Sequence, residues 1–255
     1  MTVPILEVKG ISKTFGKVKA LDSVDFYLQK GVVHGLLGEN GAGKSSLMNV
    51  LSGIYIPEQG TIKIQNKKID RLNPELASSL GIGMVHQEFR LIENFTIKDN
   101  LTLSKANIFL ENFKEAYLKY SEIFSLNSSY NTLVKDLSVG EKQKVEIMKL
   151  IFKNSAIMLL DEPTAVLTPQ ETSQLKISLE TLSKEDEKTI VLITHKLKEI
   201  KDFTETIFVM KNGKMVAENL QTDEVSDKHL IELMMGEIKT ISIGNENLMG
   251  GAKVA

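Results

Sequence analysis

The chain has 255 residues, 42% hydrophobic and 25% charged, enough for one large domain with a buried core. Lys and Arg total 31 against 33 Asp and Glu, a formal net charge of −2 that excludes a strongly basic nucleic-acid binder. Cysteine is absent, which excludes a disulfide scaffold, a thiol nucleophile and thiolate-bound zinc, and fits a reducing compartment.

Only Arg71 and Arg90 are arginines, so bidentate phosphate recognition by guanidinium has few candidates. No apolar run approaches the roughly 18 residues that cross a bilayer. Residues 1–7 lack a basic stretch followed by an apolar one, so no signal peptide is expected and the chain reads as cytoplasmic.

In chain order, residues 5–30 alternate apolar and polar with a turn near Gly16. Residues 31–38 form a continuous apolar run entering a glycine-rich turn, which predicts a strand covered on both faces, followed by a helix over 46–51. Residues 60–65 alternate again. Residues 96–152 read as mostly helical, with capping-box spacing at Thr96/Asp99 and again at Ser138/Glu141. Two further buried strands follow over 157–160 and 189–194, the first ending at Asp161-Glu162 and the second at His195. Between them, Thr168-Pro169 with Glu171 makes a strong helix start.

Residues 207–216 read as a hairpin, Asn212-Gly213 supplying the positive φ angles of its turn. Taken with 5–30 and 60–65 it suggests a small antiparallel sheet flanking the main core. Residues 226–236 predict an amphipathic helix, and 240–255, with little to bury, a disordered tail. His34, His86 and His229 have no metal-ligand spacing, and Met210, Met215, Met234 and Met235 read as core filler.

Gly38-Glu-Asn-Gly-Ala-Gly43-Lys44-Ser45 matches G-x-x-x-x-G-K-[ST] at every fixed position, between a buried strand and a helix. The loop Gly38, Glu39, Asn40, Gly41, Ala42 and Gly43, with Ser46 beyond it, would turn backbone N–H groups around phosphate. Lys44 can reach the β- and γ-phosphates, and the Ser45 hydroxyl can ligate magnesium. Asp161 at a strand end can hold the magnesium shell, while Glu162 can orient and deprotonate an attacking water. Polar groups at the carboxyl ends of central strands lie where open α/β sheets place ligands, and this promotes His195 as well.

With these residues in view, the chain resembles the ATP-binding subunit of an ABC transporter over residues 5–236. The narrowing motifs are Leu137-Ser-Val-Gly-Glu141, Asp161-Glu162-Pro-Thr, Thr194-His195 and Met84-Val-His-Gln-Glu-Phe89. The resemblance implies a phosphate-loop NTPase core of parallel sheet, an antiparallel β subdomain and a helical subdomain of about 96–152, all within one nucleotide-binding domain of residues 1–239. It implies ATP and magnesium as cofactors and assigns Gln87 to sensing the γ-phosphate through magnesium, Phe15 to stacking on adenine and His195 to the γ-phosphate. Ser138 and Gly140 would meet the γ-phosphate bound by a second nucleotide-binding domain or half. Ser138 also reads as a plain N-cap, and both roles are compatible. Implied partners are membrane permease subunits and, indirectly, an extracytoplasmic substrate-binding protein; no nucleic acid is implied. The chain would then sit on the inner face of the cell membrane.

Finer features, such as residues 81–89, 94–100 and 161–171, resemble importers of simple sugars and nucleosides. In that group two nucleotide-binding halves usually share one polypeptide, and this chain matches the first. It is then either a piece of a longer protein or a single half that pairs. Exporters and soluble ABC-type ATPases of nucleic acid or ribosomes are the alternatives. The short span from Gln87 to Leu137 and the near-neutral charge argue against the soluble ones. Val139, Glu141, Lys144 and Thr168 depart from the family pattern, the first two by adding bulk and negative charge beside the expected phosphate contact.

Overall fold

The apolar runs without alternation become strands buried on both faces. In a computed structural model of the protein, which describes residues 3–103 and 111–236, these are β3 (Val33–Leu37), β7 (Ile157–Asp161) and β8 (Thr189–Thr194). They pair in parallel at the centre of a six-stranded sheet completed by β6 (Ile82–Val85), β9 (Thr206–Lys211) and β10 (Lys214–Gln221). The order is β10-β9-β3-β8-β7-β6.

Successive residues serve opposite cores, as the period of two requires. Met158 and Leu160 of β7, with Ile190 and Leu192 of β8, pack on α5 (Val139–Phe152) and α6 (Pro169–Lys184). Ile157, Leu159, Val191 and Ile193 face the other way, onto α1 (Lys44–Leu51) and an antiparallel sheet. That second sheet comprises β1 (Leu6–Phe15), β2 (Val18–Leu28), β4 (Gln59–Ile64) and β5 (Lys67–Ile69), ordered β2-β1-β4-β5. The main sheet is thus a middle layer with an apolar core on each side.

The helical part contains α3 (Ile97–Thr102), α4 (Phe113–Ile123) and α5, with a single 3₁₀ turn at Val134–Asp136. All three anticipated capping boxes form, with Thr96, Ser138 and Thr168 as N-caps of α3, α5 and α6. The remaining helices are α2 (Pro74–Ser79), α7 (Leu197–Phe203) and α8 (Asp227–Met235).

Three expectations change. The hairpin has its predicted turn, Asn212 at φ 48° and Gly213 at φ 77°, yet it belongs to the main sheet. β9 lies parallel to β3, and Thr206 to Met210 are all buried, as strands covered on both faces are. Residues 82–85 form an edge strand of the main sheet that the sequence pattern did not announce. Met210 is core, whereas Met235 is 62% exposed. The tail expectation for 240–255 lies outside the described residues.

His34 is a structural histidine. It is fully buried, its Nε2 accepts the Gln29 N–H at 3.0 Å, and Nδ1 lies 2.7 Å from the Thr206 hydroxyl. Burial pushes its pKa down to about 4, so the ring stays neutral.

Replacing Thr168 by Ala removes the α6 N-cap and the partner of Glu171. Urea unfolding should show a loss of about 0.5–2 kcal/mol; an unchanged midpoint would deny the cap its role.

Candidate functional site

Four strands of the main sheet deliver their carboxyl ends to one place. β3 runs into the loop from Gly38 to Gly43, β7 ends at Asp161-Glu162, β8 at His195, and β6 leads to Gln87. A cavity of about 460 Å³ opens there, lined by Asn40, Gly41, Gly43, Lys44, Ser45 and Ser46 from the loop side and by Gln87, Asp161 and Glu162 opposite.

The loop owes its shape to glycine. Gly41 (φ 82°) and Gly43 (φ 105°) take left-handed conformations. A Cβ on Gly38 would lie 2.5 Å from the Met210 carbonyl oxygen and 3.1 Å from the Ala42 Cβ, so the strand end admits no side chain. No side chain caps α1 at Gly43, which leaves its first N–H groups and their positive end for an anion.

Charge is concentrated. The Lys44 ammonium is buried and donates to the Gly38 carbonyl at 2.7 Å and the Glu39 carbonyl at 3.0 Å. Burial lowers its pKa, and the charges of Glu162 and Asp161 work against that shift. Asp161 is pushed above the ordinary carboxylate range, first by burial and then by the Glu162 charge. Ser45 Oγ lies 3.5 Å from Asp161 Oδ2. These hydroxyl, carboxylate and amide oxygens are the hard donors that suit magnesium, and a cation between them would relieve the crowding around Asp161.

Glu162 has φ 46°, a left-handed conformation uncommon for a residue with a side chain. Its N–H donates to the Ile193 carbonyl at 2.9 Å, which anchors it across to β8. His195 Nδ1 lies 2.6 Å from Glu162 Oε1. Acid and histidine therefore form a pair at the cavity edge.

Not every sequence candidate lies in this cavity. Gly38, Glu39 and Ala42 shape the loop from beneath, Glu39 and Ala42 lining a smaller cavity beside Met210 and Met234. Phe15 is 41% exposed, its ring edge-on to Tyr55 at 5.0 Å. The cavity wall beyond it is made by Val18, Lys19 and Ala20, together with Asn212 and Gly213. Those residues were not singled out as site residues. The Asn-Gly pair was readable as a turn, but nothing in its sequence says that Gly213 N–H bonds the Ala42 carbonyl at 2.9 Å.

Ser138 and Gly140 stand away from the cavity, in the first turn of α5. The Ser138 N–H donates to Glu141 Oε2 at 2.9 Å, and Glu141 N–H donates to Ser138 Oγ at 3.2 Å. A Cβ on Gly140 would come within 2.1 Å of Glu171 Oε1, so a second carboxylate rests on this turn. Hydrogen bonds hold both acids below the usual range, Thr168 acting on Glu171, and Ser128 and Ser138 offsetting the burial of Glu141. Val139 projects into solvent, 49% exposed.

Comparison with known proteins agrees with this geometry. A family model described as ABC transporter matches residues 21–165. The nucleoside import ATP-binding protein NupA of Lactococcus lactis subsp. cremoris is 40% identical over 237 residues, covering 91% of this chain and 46% of that protein. The ribose import ATP-binding protein RbsA of Caldanaerobacter subterraneus subsp. tengcongensis is 39% identical over 239 residues, with 91% and 48% covered. The chain therefore spans about half the length of the curated relatives it matches. Among solved structures, the ADP conformation of MJ1267, an ATP-binding cassette of an ABC transporter, superposes with a TM-score of 0.80 at 28% identity, covering 92% of this chain and 100% of that one.

Gly38→Ala should lower unfolding free energy by about 1–3 kcal/mol, because backbone and not a flexible side chain blocks the new methyl. Wild-type stability in a denaturant titration would contradict the tight fit at the end of β3.

Proposed function

This chain belongs to the ABC transporter family, and on that premise we propose that it is an ATP-binding, ATP-hydrolysing half that powers import of nucleosides or simple sugars. The observation that carries the proposal is the meeting of Lys44, Ser45, Asp161 and the Glu162–His195 pair around one opening of about 460 Å³. The substrate class rests on the relatives, which are nucleoside and ribose import proteins by name. We assign residues 1–239 to one nucleotide-binding domain, with the helical part at about 96–152.

Each group has a physical role. The loop N–H groups and Lys44 hold the phosphates, the buried ammonium already pointing at the loop it must share with them. Ser45, Asp161 and Gln87 would hold magnesium, which when bound offsets phosphate charge. Glu162 takes the proton of the attacking water, and His195 fixes the orientation of that carboxylate through Nδ1. Donation from His195 Nε2 to a phosphate oxygen, with Nδ1–H already given to Glu162, needs the protonated ring. Phe15 offers its exposed face to the adenine at the rim beside Val18.

A second nucleotide-binding domain or half completes the arrangement, its bound γ-phosphate meeting Ser138 and Gly140. Glu141, Glu171 and the bulk of Val139 make this face a poor anion acceptor, so the site it completes turns over more slowly than a site completed by small, uncharged residues. Membrane permease subunits are the direct partners and an extracytoplasmic binding protein the indirect one. Among the described residues no helix is long and apolar enough to cross a membrane, and attachment to its inner face comes from the permease.

Glu162→Gln should retain ATP binding and slow hydrolysis by about 10²–10⁴-fold, the range for a lost general base; near-wild-type turnover would refute the assignment. Lys44→Ala should abolish the ATP-dependent rise in melting temperature, and a preserved rise would place the phosphates elsewhere.

A further inference from the structure

Buried charge outside the cavity is concentrated at Glu146, in the middle of α5 and only 3% exposed. Its Oε1 accepts the Arg90 N–H, and its Oε2 lies 2.8 Å from Lys149 Nζ. Lys149 in turn donates to the Arg90 carbonyl at 2.9 Å. One helix thus satisfies both backbone groups of Arg90 with an ion pair. Two residues on, Asn100 does the same for Ile92, accepting its N–H at 2.8 Å and donating to its carbonyl at 3.1 Å. Lys142 of α5 adds a bond to Glu93 at 2.9 Å.

The other end of this segment is fixed differently. Val85 pairs with Leu160 in the main sheet. Between Val85 and Arg90 lie His86, Gln87, Glu88 and Phe89, for which no side-chain hydrogen bond or ion pair is seen among the described residues, His86 being half-buried beside Arg90, Glu146 and Lys149. Where Gln87 stands in the cavity is therefore set by two anchors, the sheet edge behind it and the Glu146–Lys149 clamp three residues ahead.

A buried carboxylate is costly unless paired, and here the pairing is spent on the backbone of a loop rather than on holding α5 to another helix. We propose that Glu146, with Lys149, is a positioning residue for Gln87, holding the loop so that the amide oxygen can reach magnesium in the nucleotide site. The proposal rests on the reading of that site given above and adds to it a residue that touches neither nucleotide nor metal. Groups bonded directly to a metal ligand change metal affinity by about 10–100-fold when removed, and Glu146, acting one step further out through the Arg90 backbone, is expected at the low end of that range.

The test compares ATP affinity by calorimetry in EDTA and in excess magnesium, for wild type, Glu146→Gln, Gln87→Ala and the double variant. Glu146→Gln keeps size and an acceptor for Arg90 and loses the charge. We expect its EDTA affinity to stay within about twofold of wild type while the gain from magnesium falls by about tenfold. In the Gln87→Ala background the substitution should add little, because the two act on one contact. Should Glu146→Gln fold poorly, Lys149→Met removes the clamp from its other side and should reduce the magnesium gain in the same way. Equal losses in EDTA and magnesium, an intact magnesium gain, or a full further loss in the Gln87→Ala background would overturn the proposal. Wild type that binds ATP with no gain from magnesium would also overturn it, whereas wild type that binds no ATP would instead overturn the function proposed above.

Discussion

The structure turns on one unbalanced charge arrangement. Lys44 is held inside the loop by two carbonyl oxygens while Asp161 and Glu162 face it from the end of β7. A buried ammonium is costly to maintain, and backbone carbonyls satisfy only its hydrogen bonds. Two carboxylates against one ammonium leave the group one charge negative, so a polyanion can settle on the loop N–H groups and Lys44 only with a divalent cation that offsets Asp161 and Glu162. Phosphate and metal are thus wanted together, which is the physical content of a site for a metal–nucleotide complex.

That arrangement needs a rigid frame. The strands bearing these groups are central, parallel and buried on both faces, with separate cores above and below. Their carboxyl ends emerge in register, so the loop, the acid pair and His195 meet without long connections. The hairpin after β9 adds a strut. Gly213 bonds both the phosphate loop, through Ala42, and β2, through Asp22 N–H at 2.8 Å, which joins the two sheets at the cavity mouth.

Much of this was legible in the sequence because the relevant constraints are local. The glycine spacing of residues 38–43, the uninterrupted apolar strands and the Ser or Thr with an acid three residues on each encode their geometry within a few positions. What was hidden depends on distant partners. β6 is only four residues, interrupted by Gly83, and becomes a strand because Ile157 to Leu160 offer it an edge. The hairpin's membership in the main sheet depends on α7 and α8 covering one face of β9 and on the antiparallel sheet, through Phe26 and Tyr27, covering the other. Glu146 reads as one more polar position on an amphipathic helix until Arg90 is seen beside it. Phe15, placed at the adenine by resemblance, lies just outside the cavity wall that Val18 forms. The family pattern marks residue type and order more sharply than it marks distance.

The central claim is that this loop and these carboxylates grip a magnesium nucleotide. Isothermal titration of Mg-ATP into the purified chain measures it most directly. Saturable binding with one nucleotide per chain is the expected result, and a titration showing only heats of dilution would contradict the account.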